Sequence, residues 1–375
     1  MDPLPLLRDL VAANSVNPSL VPGAPGEAEA AEVARAAMAG AGLDVVLQEA
    51  APGRPNVIGV LEGRAPGPSL MFCGHLDTVG VEGMTDPFVP RVSNGRLYAR
   101  GSQDMKGGVA AMIAAAGVLA REWTRGRLII AAVVDEEYES LGAEALVKDW
   151  HADAAIVTEP TDLGLAIGHK GFAWLQIVTH GKAAHGSRPE DGRDAIARMG
   201  RVLTALEGRD RELRAQSPVA FQGTGSLHAS LISGGRELSS YPDRCTLEME
   251  RRTVASEDGQ SVLHEVHTIL ERLKRDDPEF RAEARLVTYR PAHLVGADHP
   301  LTSTVGGALA RAGRSATPMG MSFWTDAAIL SAAGTPSVLL GPGGAGLHST
   351  EEYVTVDDVY ACRDILVDVA RAWVK

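Results

Sequence analysis

The run Leu128-Ile129-Ile130-Ala131-Ala132-Val133-Val134, opening directly into Asp135-Glu136-Glu137, decides how this chain folds. It is apolar at every position, as a strand is when both of its faces are covered. The same construction recurs along the chain. Ser69–Cys73 runs into Gly74-His75-Leu76-Asp77, and Ala154–Val157 runs into Thr158-Glu159-Pro160. Pro336–Leu340 is followed by Gly341–Gly346 and then Leu347-His348. Leu43–Leu47 and Asn56–Leu61 also read as strands, while Glu27–Ala41 and Gly108–Arg121 read as Ala-rich helices. Alternation of this kind predicts an α/β domain whose mostly parallel central sheet is flanked by helices.

The character changes near Phe172. Phe172–Thr179 reads as a strand, Arg193–Gly208 as a helix, and Leu227–Ser233 and Cys245–Arg252 as strands. Gln260–Arg275 is a second helix, and Arg285–Tyr289 a fourth strand. After Tyr289 the α/β pattern resumes with a helix over Leu301–Ala312. The expected organisation is therefore a catalytic domain in two parts, 1–171 and 290–375, interrupted by a small α+β domain over 172–289. At 375 residues two cores are the better expectation.

Composition narrows the function classes. Hydrophobic residues make up 45% and charged residues 22%, as in ordinary globular proteins. A formal charge of −12 opposes sequence-independent binding to nucleic acid or an anionic membrane. Cys73, Cys245 and Cys362 form neither a disulfide framework nor a thiolate metal site. The start Met1-Asp2-Pro3-Leu4 lacks the basic and apolar regions of a signal peptide, and no apolar run approaches the roughly 20 residues of a membrane helix. The expected setting is cytoplasmic.

In open α/β sheets, ligands sit outside the carboxyl ends of the strands. Four strand ends here carry metal-capable side chains, and Asp104 supplies a fifth group just before a helix, in Arg100-Gly101-Ser102-Gln103-Asp104-Met105-Lys106-Gly107-Gly108. His75, Asp104, Glu137, Glu159 and His348 together offer the nitrogen and oxygen donors that suit zinc, cobalt or manganese. A carboxylate has two oxygens, so Asp104 can bridge two cations. Such a pair holds a water, lowers its pKa and polarises a carbonyl. One more carboxylate must take the proton from that water and hand it to the leaving amine. Glu136-Glu137 provides a ligand and a base, and residue chemistry alone leaves open which is which. None of these pieces is specific by itself; their joint placement at successive strand ends carries the inference.

These motifs resemble, over essentially the whole chain, the zinc-dependent amidohydrolases and exopeptidases that include acetylornithine deacetylase, succinyl-diaminopimelate desuccinylase, glutamate carboxypeptidase and aminoacylase. That family carries HxD, then G-R-G-x-x-D-x-K-G, then a Glu-Glu pair, a further acidic ligand and a late His, and this sequence has all of them in order, with Ala99 opening the second motif. The resemblance implies that His75 and Glu159 bind one metal, that Glu137 and His348 bind the other, and that Asp104 bridges. It implies Glu136 as general base, Asp77 as the group orienting the His75 ring, and Glu352 as a supporting acid. It further implies a ferredoxin-like lid and dimerisation domain. There, His185, in Gly181-Lys182-Ala183-Ala184-His185-Gly186-Ser187, would reach across a homodimer to the tetrahedral oxyanion. Arg252 would grip the substrate carboxylate, as a guanidinium fork can.

There are departures: the family's Asn is Ser239 here, and its D-x-R is Glu250-Arg251-Arg252. Both bear on substrate contacts more than on hydrolysis. The expected substrate is a small N-acyl amino acid, with a dipeptidase or glutamate-type carboxypeptidase as the alternative, and a binding protein that has lost catalysis as the remote one. His264-Glu265-Val266-His267 has its histidines one residue too close for a zinc-protease helix and reads as helix surface. His169, His180 and His228 read as structural, Cys73 as a small buried hydrophobe, and Asp326 equally as a helix N-cap or as support for the site.

Overall fold

A computed structural model describes all of Met1–Lys375, which divides into two compact units. The first comprises Met1–Ile167, Val295–Met319 and Thr325–Lys375; the second comprises Gly168–Leu294 and Gly320–Trp324. Nothing in the hydropathy pattern signals that the short segment 320–324 leaves the first unit for the second.

The first unit is built on the apolar runs. Arg125–Val133, Ala65–His75, Ala155–Val157 and Ser337–Leu339 lie side by side in that order and are all parallel. Arg54–Glu62 and then Asp44–Ala51 extend one edge antiparallel. The inner strands are buried on both faces from Leu70 to His75 and from Leu128 to Val133, which is why they carry no alternation. Because the four are parallel, their carboxyl ends share one rim, and His75, the Asp135–Glu137 turn, Glu159 and the stretch after Leu339 all leave the sheet there.

The helix Gly107–Leu119 is apolar all round because it is enclosed, packing against the sheet and against the helices Pro3–Ala12 and Val356–Trp373. Its tight seat requires glycine. A Cβ on Gly108 would lie 2.1 Å from the Thr158 carbonyl oxygen, one residue before Glu159. Those two terminal helices, the helix Leu141–Asp149, and a small sheet of Arg91–Ser93, Arg96–Tyr98, Gly344–Ala345 and Tyr353–Thr355 were not part of the sequence expectation. The small sheet's strands are two or three residues long and too short to show a period.

The second unit has the order strand–helix–strand–strand–helix–strand. Its sheet runs Ser226–Gly234, Arg244–Thr253, Gly171–His180, Arg281–Arg290, every neighbour antiparallel, which is the ferredoxin-like arrangement. Alternate residues such as Leu175, Ile177, Leu247 and Met249 bury against Met199, Val202, Val266 and Leu270 of the helices Ala195–Arg214 and Gly259–Asp276. Asp194 caps the first of these helices, and Asp258 with Ser261 forms a capping box on the second. The opposite sheet face is polar, with Gln176 hydrogen-bonded to Glu248 and Trp174 to Glu250.

The Gly108 contact gives a direct test of how tightly the first unit is packed. Gly108→Ala should destabilise it by about 1–3 kcal/mol or more, read as a lower midpoint in urea unfolding. An unchanged midpoint would show that the helix and the Thr158–Glu159 turn can separate at no cost.

Candidate metal centre

Each strand end delivers its side chain to the rim of the first unit. His75 is buried at the end of its strand; its Nδ1 lies 3.0 Å from the Asp77 carbonyl oxygen and 3.4 Å from Asp77 Oδ1. That fixes the ring and turns Nε2 toward Asp104, whose Oδ1 is 3.1 Å away. Asp104 Oδ2 lies 3.3 Å from His348 Nε2, and Glu137 Oε2 lies 3.1 Å from the same nitrogen. Two groups result: His75, Asp104 and Glu159 form one, and Asp104, Glu137 and His348 form the other, sharing the Asp104 carboxylate. Glu136 stands beside them, Oε2 3.9 Å from His75 Nε2.

The residues fit two divalent cations. Neighbouring ligands around a tetrahedral zinc with bonds of about 2.0–2.1 Å are separated by about 3.3 Å, close to the imidazole–carboxylate distances here. Glu137 Oε1 is buried with no hydrogen-bond partner, a donor atom left for something other than protein. The balance of charge argues the same way. Burial, and then the Glu159 carboxylate, push the Glu136 carboxyl well above its ordinary range. Burial, reinforced by Asp104, raises Glu137 to about 7. Asp104 is also buried, yet the hydrogen bonds from His348 and His75 hold it below the usual carboxylate range. Between Asp104 and Glu137, His348 is lifted to about 10. Carboxylates that resist ionisation beside imidazoles that favour protonation mark a site short of positive charge.

The loop that presents Asp104 is held by Glu352. Its Oε1 accepts from the backbone N–H groups of Gln103 and Asp104 at 2.8 and 3.1 Å. Its Oε2 accepts from Gly101 N–H at 3.0 Å and from Arg100 Nη1 at 2.7 Å. Lys106, fully buried, donates from Nζ to the carbonyls of Leu10 and Ala13, tying the same loop to the end of the first helix. Glu352 was legible as a supporting acid only through the resemblance; the geometry explains why the position must be acidic.

In the second unit, His185 and Ser239 lie together. Ser239 O accepts from Gly186 N–H at 2.7 Å, and Tyr241 N–H donates to Ala184 O at 2.9 Å. His185 Nδ1 lies 2.8 Å from Ser187 Oγ and accepts from Ser187 N–H at 3.2 Å, so Nε2 is the nitrogen left to carry the proton of a neutral ring. Arg252 sits elsewhere. Its Nε donates to Glu250 Oε1 at 2.7 Å, its guanidinium stands over the Phe172 ring, and it pairs with Phe172 at the far end of the sheet from His180. The strand Gly171–His180 between those ends has ten residues and is roughly 30 Å long.

His264 and His267 lie on the helix Gly259–Asp276, His267 beside the Ala284 carbonyl. Asp326 occupies the N-cap of Ala327–Ala332 without a side-chain cap hydrogen bond. It is buried, and its negative charge adds to what disfavours ionisation of Glu136 and Glu159. Cys73, Cys245 and Cys362 are free and buried.

Residues 71–372 match the family model of peptidase family M20/M25/M40. The chain belongs to this family of metal-dependent amide hydrolases. It is 32% identical to an acetylornithine deacetylase of Myxococcus xanthus over 380 residues, covering 97% of each chain. It is 30% identical to a succinyl-diaminopimelate desuccinylase of Gluconacetobacter diazotrophicus over 385 residues, covering 96% of this chain and 94% of the relative. Among solved structures it resembles a tripeptidase of Staphylococcus aureus with a TM-score of 0.82 at 21% identity, covering 99% of this chain and 97% of the other. No helix is long and apolar enough to cross a membrane.

Chelating the cations should abolish turnover and lower the thermal midpoint, with both recovered on adding back zinc, cobalt or manganese. Glu352→Ala should cost about 10–100-fold in metal affinity or activity, measured by competition with a chromophoric chelator. Wild-type affinity in that variant would show that the Asp104 loop holds its shape unaided.

Proposed function

We propose that this protein deacylates a small N-acyl amino acid, with Glu136 as general base. The observation that carries this reading is the pair of ligand groups sharing Asp104, with an additional half-buried carboxylate, Glu136, directly beside them. When bound, the two cations, zinc first and cobalt or manganese as alternatives, would acidify a water and polarise the scissile carbonyl. His75 and Glu159 would hold one, Glu137 and His348 the other, and Asp104 both.

Glu136 takes the proton from the attacking water and delivers it to the departing amine. Glu136 stands beside the two ligand groups, its Oε2 3.9 Å from His75 Nε2, where one carboxylate can serve first as base toward the water and then as acid toward the amine. Asp77 keeps the His75 ring in place. His185 Nε2–H donates to the oxyanion as the carbonyl carbon becomes tetrahedral. Arg252, braced by Glu250 and Phe172, receives the substrate carboxylate in its guanidinium fork, and Ser239 lines the substrate near His185.

Two features favour a homodimer in which His185 acts on the partner's substrate. His185 and Arg252 stand at opposite ends of a strand of ten residues, too far apart for one small substrate to touch both in the same chain. The outer strand Ser226–Gly234 presents an open edge with Leu231 66% and Ile232 56% exposed, a surface suited to pairing with a second copy. Three free, buried thiols agree with a cytoplasmic enzyme.

Glu136→Gln should lose most turnover while keeping its metal; near-normal activity would remove the base assignment. Mixing Glu136→Gln with His185→Ala chains should restore activity that neither has alone, and no restoration would place His185 in its own chain's site. A panel of N-acetyl and N-succinyl amino acids against dipeptides and N-acyl glutamates separates a deacylase from a peptidase; preference for dipeptides would establish the alternative.

A further inference from the structure

The carboxylates behind the metal ligands are joined by residues that no motif contains. Asn17 Nδ2 donates to Asp77 Oδ2 at 2.8 Å and to Asp135 Oδ1 at 3.0 Å, so one amide spans two buried carboxylates. Asp77 in turn accepts from the backbone N–H groups of Glu136 and Glu137, each at 3.1 Å. Asp135 organises the same turn from the inside. Its carboxylate accepts from Glu139 and Leu141 N–H, and its carbonyl from Ser140 N–H, while its own backbone lies at φ +69°, in the left-handed region. The stretch that carries Asn17 is zipped to the stretch that follows His75. Ser15 Oγ donates to Leu76 O, Thr78 N–H to Ser15 O, and Asn17 N–H to Thr78 O.

Such a cluster of buried acids needs a cation, and Arg54 supplies it. Its Nη2 lies 2.7 Å from Asp135 Oδ1, its Nε donates to Glu27 Oε2 at 2.8 Å, and Nη2 also reaches Asn17 Oδ1 at 3.2 Å. Glu27 and Asp135 have fully buried side chains, and that of Arg54 is 10% exposed. Removing one partner from a buried ion pair leaves an uncompensated charge. Here that charge would sit one residue from Glu136.

We propose that Asn17 and Arg54 are positioning residues of the catalytic centre: the Asn17 amide brackets Asp77 to Asp135, Arg54 neutralises Asp135, and together they fix the turn that presents Glu136 and Glu137. The inference rests on the assignment of Glu136 and Glu137 made above. Asn17 acts on both sides of the metal centre, since Asp77 holds the His75 ring as well as the Glu136 and Glu137 backbone. Arg54 acts through Asp135 alone.

The test measures zinc affinity by chelator competition alongside kcat and KM in the full-length protein, with folding checked by circular dichroism. Asn17→Ala should lower zinc affinity and kcat by about 10–100-fold each while leaving KM nearly unchanged. Asn17→Asp, which keeps the shape but adds an acid between two acids, should be worse than Asn17→Ala. A residue that merely fills space would give the opposite order. Arg54→Lys should retain more zinc affinity and kcat than Arg54→Met, because it keeps the charge. Should Asn17→Asp not fold, Asn17→Ser and the Arg54 pair decide the question. Wild-type kcat and zinc affinity in Asn17→Ala and Arg54→Met, or Asn17→Asp outperforming Asn17→Ala, would overturn the proposal. Zinc affinity reads the bracket independently of the base, so an active Glu136→Gln would remove the assignment of Glu136 and leave this result to stand or fall separately.

Discussion

Crowding of negative charge at one rim of the parallel sheet is the constraint on which this structure depends. Asp77, Asp104, Asp135, Glu136, Glu137 and Glu159 crowd around His75, His348 and Arg54, and burial raises the ionisation cost of several. Interactions between charges strengthen as the surroundings become less polar, so a cluster of this sign persists only where something offsets it. On one side Arg54 does so, and on the other Asp104 lies between two imidazoles. The remainder of the site is left for divalent cations, and the shared Asp104 carboxylate sets where they would sit.

Backbone amides provide the rest of the compensation, and in doing so they give the loops their shape. Glu352 collects N–H groups from Gly101, Gln103 and Asp104, and Asp77 collects those of Glu136 and Glu137. Each carboxylate thereby acts as a template around which a turn is wrapped. A hydrogen bond to an ionised acceptor is stronger than a neutral one, and a buried acid that lost these donors would bear its full desolvation penalty. Position and charge are therefore one property in this centre. A side chain that shifts a ligand also changes the electrostatics felt by its neighbours, which is why residues as far along the chain as Asn17 and Asp135 belong to the same unit of function.

What could be read from the sequence followed from regularity. Continuous apolar runs identify parallel strands because neither face meets water, and the abrupt change to His75, Glu137 or Glu159 at their ends is equally visible. Asn17 and Arg54 escape such reading. Asn17 precedes Pro18 and looks like any turn residue, and Arg54 opens an antiparallel strand, where a charged side chain is ordinary. Their meaning lies in partners far along the chain, Asp135 for both, and no local pattern encodes that pairing. Asp326 fits both readings for a related reason: its place before a helix suits a cap, and only the folded chain shows that it is buried and makes no cap hydrogen bond. In the second unit strand parity does the same work. Arg251 is fully buried with Glu257 and Glu265, while Arg252, one residue on, faces the other way beside Glu250.

That parity also bears on the departures from the family pattern. Glu250 in place of the family's Asp still reaches Arg252, and it does so while its second oxygen accepts from Trp174 Nε1, so the longer side chain is anchored at both oxygens. Ser239 in place of Asn leaves the His185 turn undisturbed, because the contact holding that turn is made by the Ser239 carbonyl and not by its side chain. At both positions the local contacts are complete: Glu250 pairs with Arg252, and Ser239 O accepts from Gly186 N–H. A shorter side chain beside His185 leaves more room and removes an amide that could both donate and accept. The exchange therefore changes the side chain carried at position 239 while keeping the backbone contact with Gly186.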